Sequence, residues 1–181
     1  MERGQGGRIV DAFASAKDRG EAAFITFMTA GYPTADDTPS ILMGMQEGGA
    51  SIIELGIPYT DPQADGATIQ LTNQVAIKGG TLELPTCLAM VKKARDMGLT
   101  VPVVLIGYYN PFLQYGIERL CKDTKEAGGD GFIVVDLPPE EGVELARSCT
   151  KHGLSNVPPV TPVTDTQERK VEADLDTNSM R

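Results

Sequence analysis

The apolar positions of the chain fall into short continuous runs separated by longer amphipathic stretches. Ala22–Thr29 (AAFITFMT), Ile52–Gly56 (IIELG), Val101–Ile106 (VPVVLI) and Gly131–Val135 (GFIVV) are rich in β-branched and aromatic residues and show almost no polar alternation. That is the pattern of strands buried on both faces of a parallel sheet. Leu154–Val160 predicts a fifth strand, weakened by Pro158 and Pro159. Between these runs the spacing becomes helical. Gly7–Gly20, with Ile9, Val10 and Phe13 among charges, predicts a leading amphipathic helix. Thr34 and Asp37 resemble a capping box ahead of a helix carrying Ile41, Leu42 and Met45 to Gly48-Gly49. Ile69, Val75 and Ile77 predict a helix ending at Gly79-Gly80. Leu84–Met97 predicts another, with Leu88, Val91 and Ala94 on one face and Lys92, Lys93 and Arg95 on the other. After a loop at Gly107–Pro111, helices are expected over Gly116–Glu126 and Val143–Cys149, the latter started by Pro139, Glu140 and Glu141 and closed by Gly153. Strands alternating with helices in this way predict an α/β fold built on a parallel sheet.

The loops are unequal. Those that follow strands hold the unusual polar residues, whereas those that precede strands hold mainly glycine. This asymmetry fits a barrel whose chemistry gathers at the C-terminal ends of its strands. The richest of these loops lies in Ser51–Gln70, SIIELGIPYTDPQADGATIQ. Glu54 interrupts an apolar strand, where a carboxylate costs several kcal/mol unless it is paired or protonated. Its flanks should therefore raise its pKa. Asp61 and Asp65 follow in a proline-broken loop, so three carboxylates collect near one strand end. A surface position on an edge strand remains the alternative for Glu54, and turn formation remains the alternative for Asp61.

Ser51–Gln70 resembles the signature of the tryptophan synthase alpha chain family, ELG-[IV]-P-[FY]-[ST]-DP-x-ADGP-x-IQ, departing from it at Ala67 and, less so, at Gln63. The resemblance implies a TIM (β/α)8 barrel, of which this chain carries about the first five βα units. It also implies an aldol-type lyase that cleaves indole-3-glycerol phosphate to indole and glyceraldehyde 3-phosphate in tryptophan biosynthesis. Glu54 matches the family's catalytic glutamate, and Asp65 matches the aspartate that faces the indole N–H. Phe27, Ile106, Tyr108, Ile133 and Val135 match the indole pocket, with core packing as the alternative for each. Pro58, Tyr59, Thr60, Asp61 and Pro62 match the contact with a beta chain. No cofactor is expected in this chain, and pyridoxal phosphate is expected in that partner alone. Asn110 and Asp136 match loop-shaping or interface positions. The resemblance covers about Ile9–Arg169, within a partial barrel domain expected over residues 1–169. Residues 170–181 are expected to be an unstructured tail outside it, and the phosphate-binding loops of the later barrel strands have no counterpart. A truncated, inactive fragment or a non-catalytic module that binds the beta chain is therefore the competing expectation.

Composition narrows the classes. The 181 residues are 41% hydrophobic and 23% charged, which suits one soluble globular domain. A net charge of −9 without a basic stripe argues against nucleic acid and against anionic membranes. No apolar run is long enough to span a bilayer, and the N-terminus lacks the apolar segment of a secretory signal. Cys87, Cys121 and Cys149 lack CxxC spacing, so neither a zinc site nor a disulfide framework is expected. Reduced, half-buried thiols in a cytoplasmic protein are the expectation. His152, the single histidine, reads as part of a helix end.

Overall fold

A computed structural model of the chain describes residues 7–158. Its elements are α1 (Gly7–Asp18), β1 (Ile25–Thr29), α2 (Thr38–Glu47), β2 (Ile52–Gly56), α3 (Ala67–Lys78), α4 (Leu84–Asp96), β3 (Val103–Gly107), α5 (Tyr109–Tyr115), α6 (Ile117–Ala127), β4 (Gly131–Val134), α7 (Pro139–His152) and β5 (Ser155–Asn156). The strands form one parallel sheet in the order β1-β2-β3-β4-β5. Each strand neighbours the next in sequence. That is the winding of a (β/α)8 barrel and not of an open doubly wound sheet, whose order reverses at a switch point.

The register sorts the side chains into two faces. Met28, Leu55, Leu105 and Phe132 align across the sheet and face the helices. With Leu42, Val91, Phe112, Leu120 and Leu145 they form the main core. The opposite face carries Phe27 beside Glu54 and Val104, with Ile106 beside Ile133. At the N-terminal end of this second face, Ile9 of α1 packs against Ile52 and Val104. Helix α1 thus covers one end of the inner face and leaves the C-terminal strand ends open.

Ionic pairing fixes the same covered end. Asp130, just ahead of β4, accepts hydrogen bonds from Arg8 (2.7 Å), from Arg95 (2.9 Å) and from the Val103 amide (2.8 Å). Arg95 also donates to the carbonyls of Leu99, Val101 and Gly128. This corrects the expectation that Arg95 shares a solvent face with Lys92 and Lys93, because its side chain is only 12% exposed. A guanidinium offers five donors in a fixed fork, which suits a site where four oxygens converge.

Several boundaries differ from the sequence pattern, each for a local reason. Strand β1 begins at Ile25, because the Phe24 amide donates to the Ser51 hydroxyl and the Phe24 carbonyl accepts the Ser51 amide. Strand β3 begins after Pro102, which has no amide to donate. Thr34 and Asp37 do pair, hydroxyl to carboxylate at 2.7 Å, but one turn ahead of α2. Of the loop expected at Gly107–Pro111, Gly107 ends β3 and Tyr109–Pro111 open the helix α5. Pro111 falls in its first turn, where a missing amide costs nothing, and Asp136 accepts the Tyr109 amide at 2.6 Å. Gly116, with φ 92°, separates α5 from α6. Strand β5 is two residues long among the described residues. Pro159 and Val160 of the expected fifth strand, and the expected tail at 170–181, lie outside the described residues.

Candidate active site

Glu54 lies on β2, which is flanked by β1 and β3, so the edge-strand alternative does not apply. Its neighbours Ile53 and Leu55 turn toward the helices and are fully buried, while Glu54 turns to the inner face and is half-buried. Burial raises its pKa above that of an ordinary glutamate. No hydrogen bond to its carboxyl is present among the described residues, so its charged form has no compensating donor there.

Glu54 opens into a cavity of about 320 Å³ at the C-terminal ends of the strands. Phe27, Ile106, Tyr108 and Val135 line it, and Asp65 reaches it from the loop that follows β2. Six of the seven positions singled out for catalysis or substrate binding therefore meet in one space. Ile133 does not line it; on the same face it packs toward Ile9, Ile52 and Val104. The cavity is mainly apolar, with two carboxylates, and is large enough for a bicyclic aromatic group.

The Asp65 loop is held from several sides. Asn73 Nδ2 donates to Asp65 Oδ2 at 3.3 Å, and Gln70 Nε2 donates to the Asp65 carbonyl at 2.9 Å. The Asp65 amide donates to the Pro62 carbonyl at 3.1 Å. The Tyr108 hydroxyl accepts the Ala64 amide at 2.8 Å, and its ring lies against Tyr59 with centroids 5.0 Å apart. Burial first, and then the neighbouring Asp65 carboxylate, push the Tyr108 phenol upward, against the lowering effect of the Ala64 amide. Tyr108 therefore stays protonated at neutral pH and serves both as a wall of the cavity and as a clamp on the loop.

Sequence reasoning missed two contributors. Asn73 is 5% exposed and sits four residues after Ile69 on the cavity-facing side of α3. An asparagine at that helical spacing within an apolar face was the available signal. Gly56 is needed because a Cβ there would lie 2.8 Å from the Phe27 ring. Asp136, matched in the sequence to a loop-shaping or interface position, accepts the Tyr109 amide at 2.6 Å. Of the positions matched to a partner contact, Pro58 is buried, Tyr59 and Pro62 are half-buried, and Thr60 and Asp61 are exposed. The Asp61 carboxylate accepts from Gln63 at 3.0 Å and takes no part in the cavity. His152 ends α7 and bonds Glu118 at 2.9 Å, away from the cavity.

Residues 13–175 match the family described as tryptophan synthase alpha chain. The chain is 55% identical over 162 residues to a tryptophan synthase of Saccharomyces cerevisiae, covering 90% of this chain and 23% of that one. It is 46% identical over 158 residues to a tryptophan synthase alpha chain of Citrifermentans bemidjiense, covering 87% of this chain and 58% of the relative. The crystal structure of the tryptophan synthase alpha subunit of Legionella pneumophila superposes with a TM-score of 0.87 at 34% identity, covering 94% of this chain and 63% of that one. The chain thus spans less than two thirds of the length of these relatives. Among the described residues no helix is long and apolar enough to cross a membrane.

Proposed function

The chain belongs to the tryptophan synthase alpha chain family, and from that premise we propose that its cavity is the indole-binding part of an indole-3-glycerol phosphate lyase site. The observation that carries the reading is the meeting of Glu54 and Asp65 in one largely apolar cavity at the strand ends. Cleavage breaks the bond between indole C3 and the carbinol carbon. Indole leaves poorly until C3 takes up a proton, and the carbinol hydroxyl must lose one as the aldehyde forms. Burial raises the Glu54 pKa, which suits a group that both gives and takes a proton. Protonation of C3 places positive charge on the ring nitrogen. Asp65, oriented by Asn73, is the group to stabilise it. Phe27, Ile106, Tyr108 and Val135 supply apolar walls for the ring, and Ile133 supports them from the same sheet face.

The same proposal gives Pro58–Pro62 to a contact with a beta chain, with pyridoxal phosphate held by that partner and no cofactor held here. The support is the exposure of Thr60 and Asp61 on a loop whose base is pinned by Tyr108. The cytoplasm is the proposed compartment, consistent with three free, buried cysteines. Residues 1–169 form the proposed partial-barrel domain and 170–181 the proposed tail.

Asp65→Asn preserves shape and removes charge. In a chimera that continues this chain with the remaining barrel units of a bacterial relative, it is expected to lower the rate of indole release roughly 10²-fold or more while a substrate analogue still binds. Equal losses of analogue affinity and turnover would mark Asp65 as a ground-state contact and remove it from the mechanism.

A further inference from the structure

Helices α6 and α7 bring together two thiols that lie 28 residues apart in sequence. Cys121 Sγ and Cys149 Sγ are 3.9 Å apart, and both residues are fully buried. Neither belongs to the cavity that holds Glu54 and Asp65. We propose that Cys121 and Cys149 are a dithiol exchange site, which a low-molecular-weight disulfide converts into an intrachain bond between α6 and α7.

The geometry needs little movement. A disulfide has a sulfur–sulfur length of about 2 Å, so the two side chains must close by roughly 2 Å while already facing each other. Their surroundings divide the labour. The contact with the Cys149 thiol lowers the Cys121 pKa, against the opposing effects of burial and of the Glu118 carboxylate. The same contact, together with burial, raises that of Cys149. Ser148 is held by Glu118 at 3.1 Å. Cys121 is therefore the attacking thiol and Cys149 the resolving one. Cys87, alone on α4, is pushed by burial up to about 12 and lacks a thiol neighbour among the described residues.

The exchange balances in two steps. The Cys121 thiolate attacks one sulfur of the reagent, the reagent's sulfur–sulfur bond breaks, and one reagent thiolate leaves. Cys149 then gives up its proton, attacks the Cys121 sulfur and expels the second reagent thiolate. The protein loses two hydrogens, and the reagent becomes two thiols. Both thiols are fully buried, so the reagent reaches them only when α7 opens away from α6, which breaks the Glu118 contacts to Ser148, Lys151 and His152 and, among the described residues, the two-residue pairing of β5 with β4.

The test uses the 181-residue chain and oxidised glutathione at mildly alkaline pH. The protein is then alkylated under denaturing conditions and mapped by mass spectrometry. The expected result is paired loss of two thiols, a cross-linked peptide joining Cys121 to Cys149, an alkylated Cys87 and full reversal by dithiothreitol. Cys149→Ser should stop at a mixed disulfide on Cys121. The proposal is overturned if the folded chain keeps three free thiols under conditions in which the urea-unfolded chain is oxidised. It is equally overturned if Cys87 reacts as readily as the pair.

Discussion

Glu54→Gln is expected to slow indole release roughly 10²–10⁴-fold, the usual contribution of a positioned acid–base group. The host is the chimera described above, so that the remaining barrel units are present. The substitution is nearly isosteric, and Glu54 has no hydrogen bond to lose among the described residues, so folding should survive. Stability should even gain at neutral pH. Because burial raises the Glu54 pKa, the folded state holds that proton more tightly than the unfolded chain. The stability this provides is fully present below the ordinary glutamate value and is lost as pH rises through the raised one. Glutamine has no such proton, so this part of the pH dependence should vanish from the variant's melting curves. A variant that keeps more than about a tenth of the activity would remove Glu54 from the chemistry.

Asp130→Ala should destabilise the chain by about 3–5 kcal/mol, the typical cost of removing one partner from a buried ion pair. Asp130 is 8% exposed and Arg95 12%, so the substitution strands a buried guanidinium and leaves the Val103 amide without its acceptor. Arg8 is 42% exposed, and Arg8→Ala should cost about 1 kcal/mol or less through its charge. Urea titration of both variants checks the ranking. Equal losses would show that α1, and not the Arg95–Asp130 pair, closes this end of the sheet.

Much of this was legible because the strands are continuous apolar runs and the chemistry stands out against them. Glu54 is visible as a lone acid among Ile52, Ile53 and Leu55, and Asp65 is visible within a long, specific motif. Arg95 was not legible. On α4 it follows two exposed lysines, and only the fold shows that three turn carbonyls and Asp130 converge on it. The adjacency of Cys121 and Cys149 was hidden for the same reason, since their separation along the chain says nothing of how α6 packs on α7. Helix α5 escaped because its first-turn acceptor, Asp136, comes from a loop 27 residues away. Local propensity sets most elements, whereas long-range hydrogen bonds decide several of their ends.

The central claim is that the cavity beside Glu54 and Asp65 receives an indole ring, and nuclear magnetic resonance of the isotope-labelled 181-residue chain with indole tests it most directly. The account predicts saturable shifts centred on Phe27, Ile106, Tyr108, Val135 and Asp65, weakened by Tyr108→Ala. Two other cavities offer contrasting outcomes: one of about 390 Å³ beside Arg8, Ser15 and Thr100, the other of about 350 Å³ beside Leu82, Pro111 and Tyr115. Saturable shifts confined to either of these, with the Glu54 cavity silent, would contradict the account.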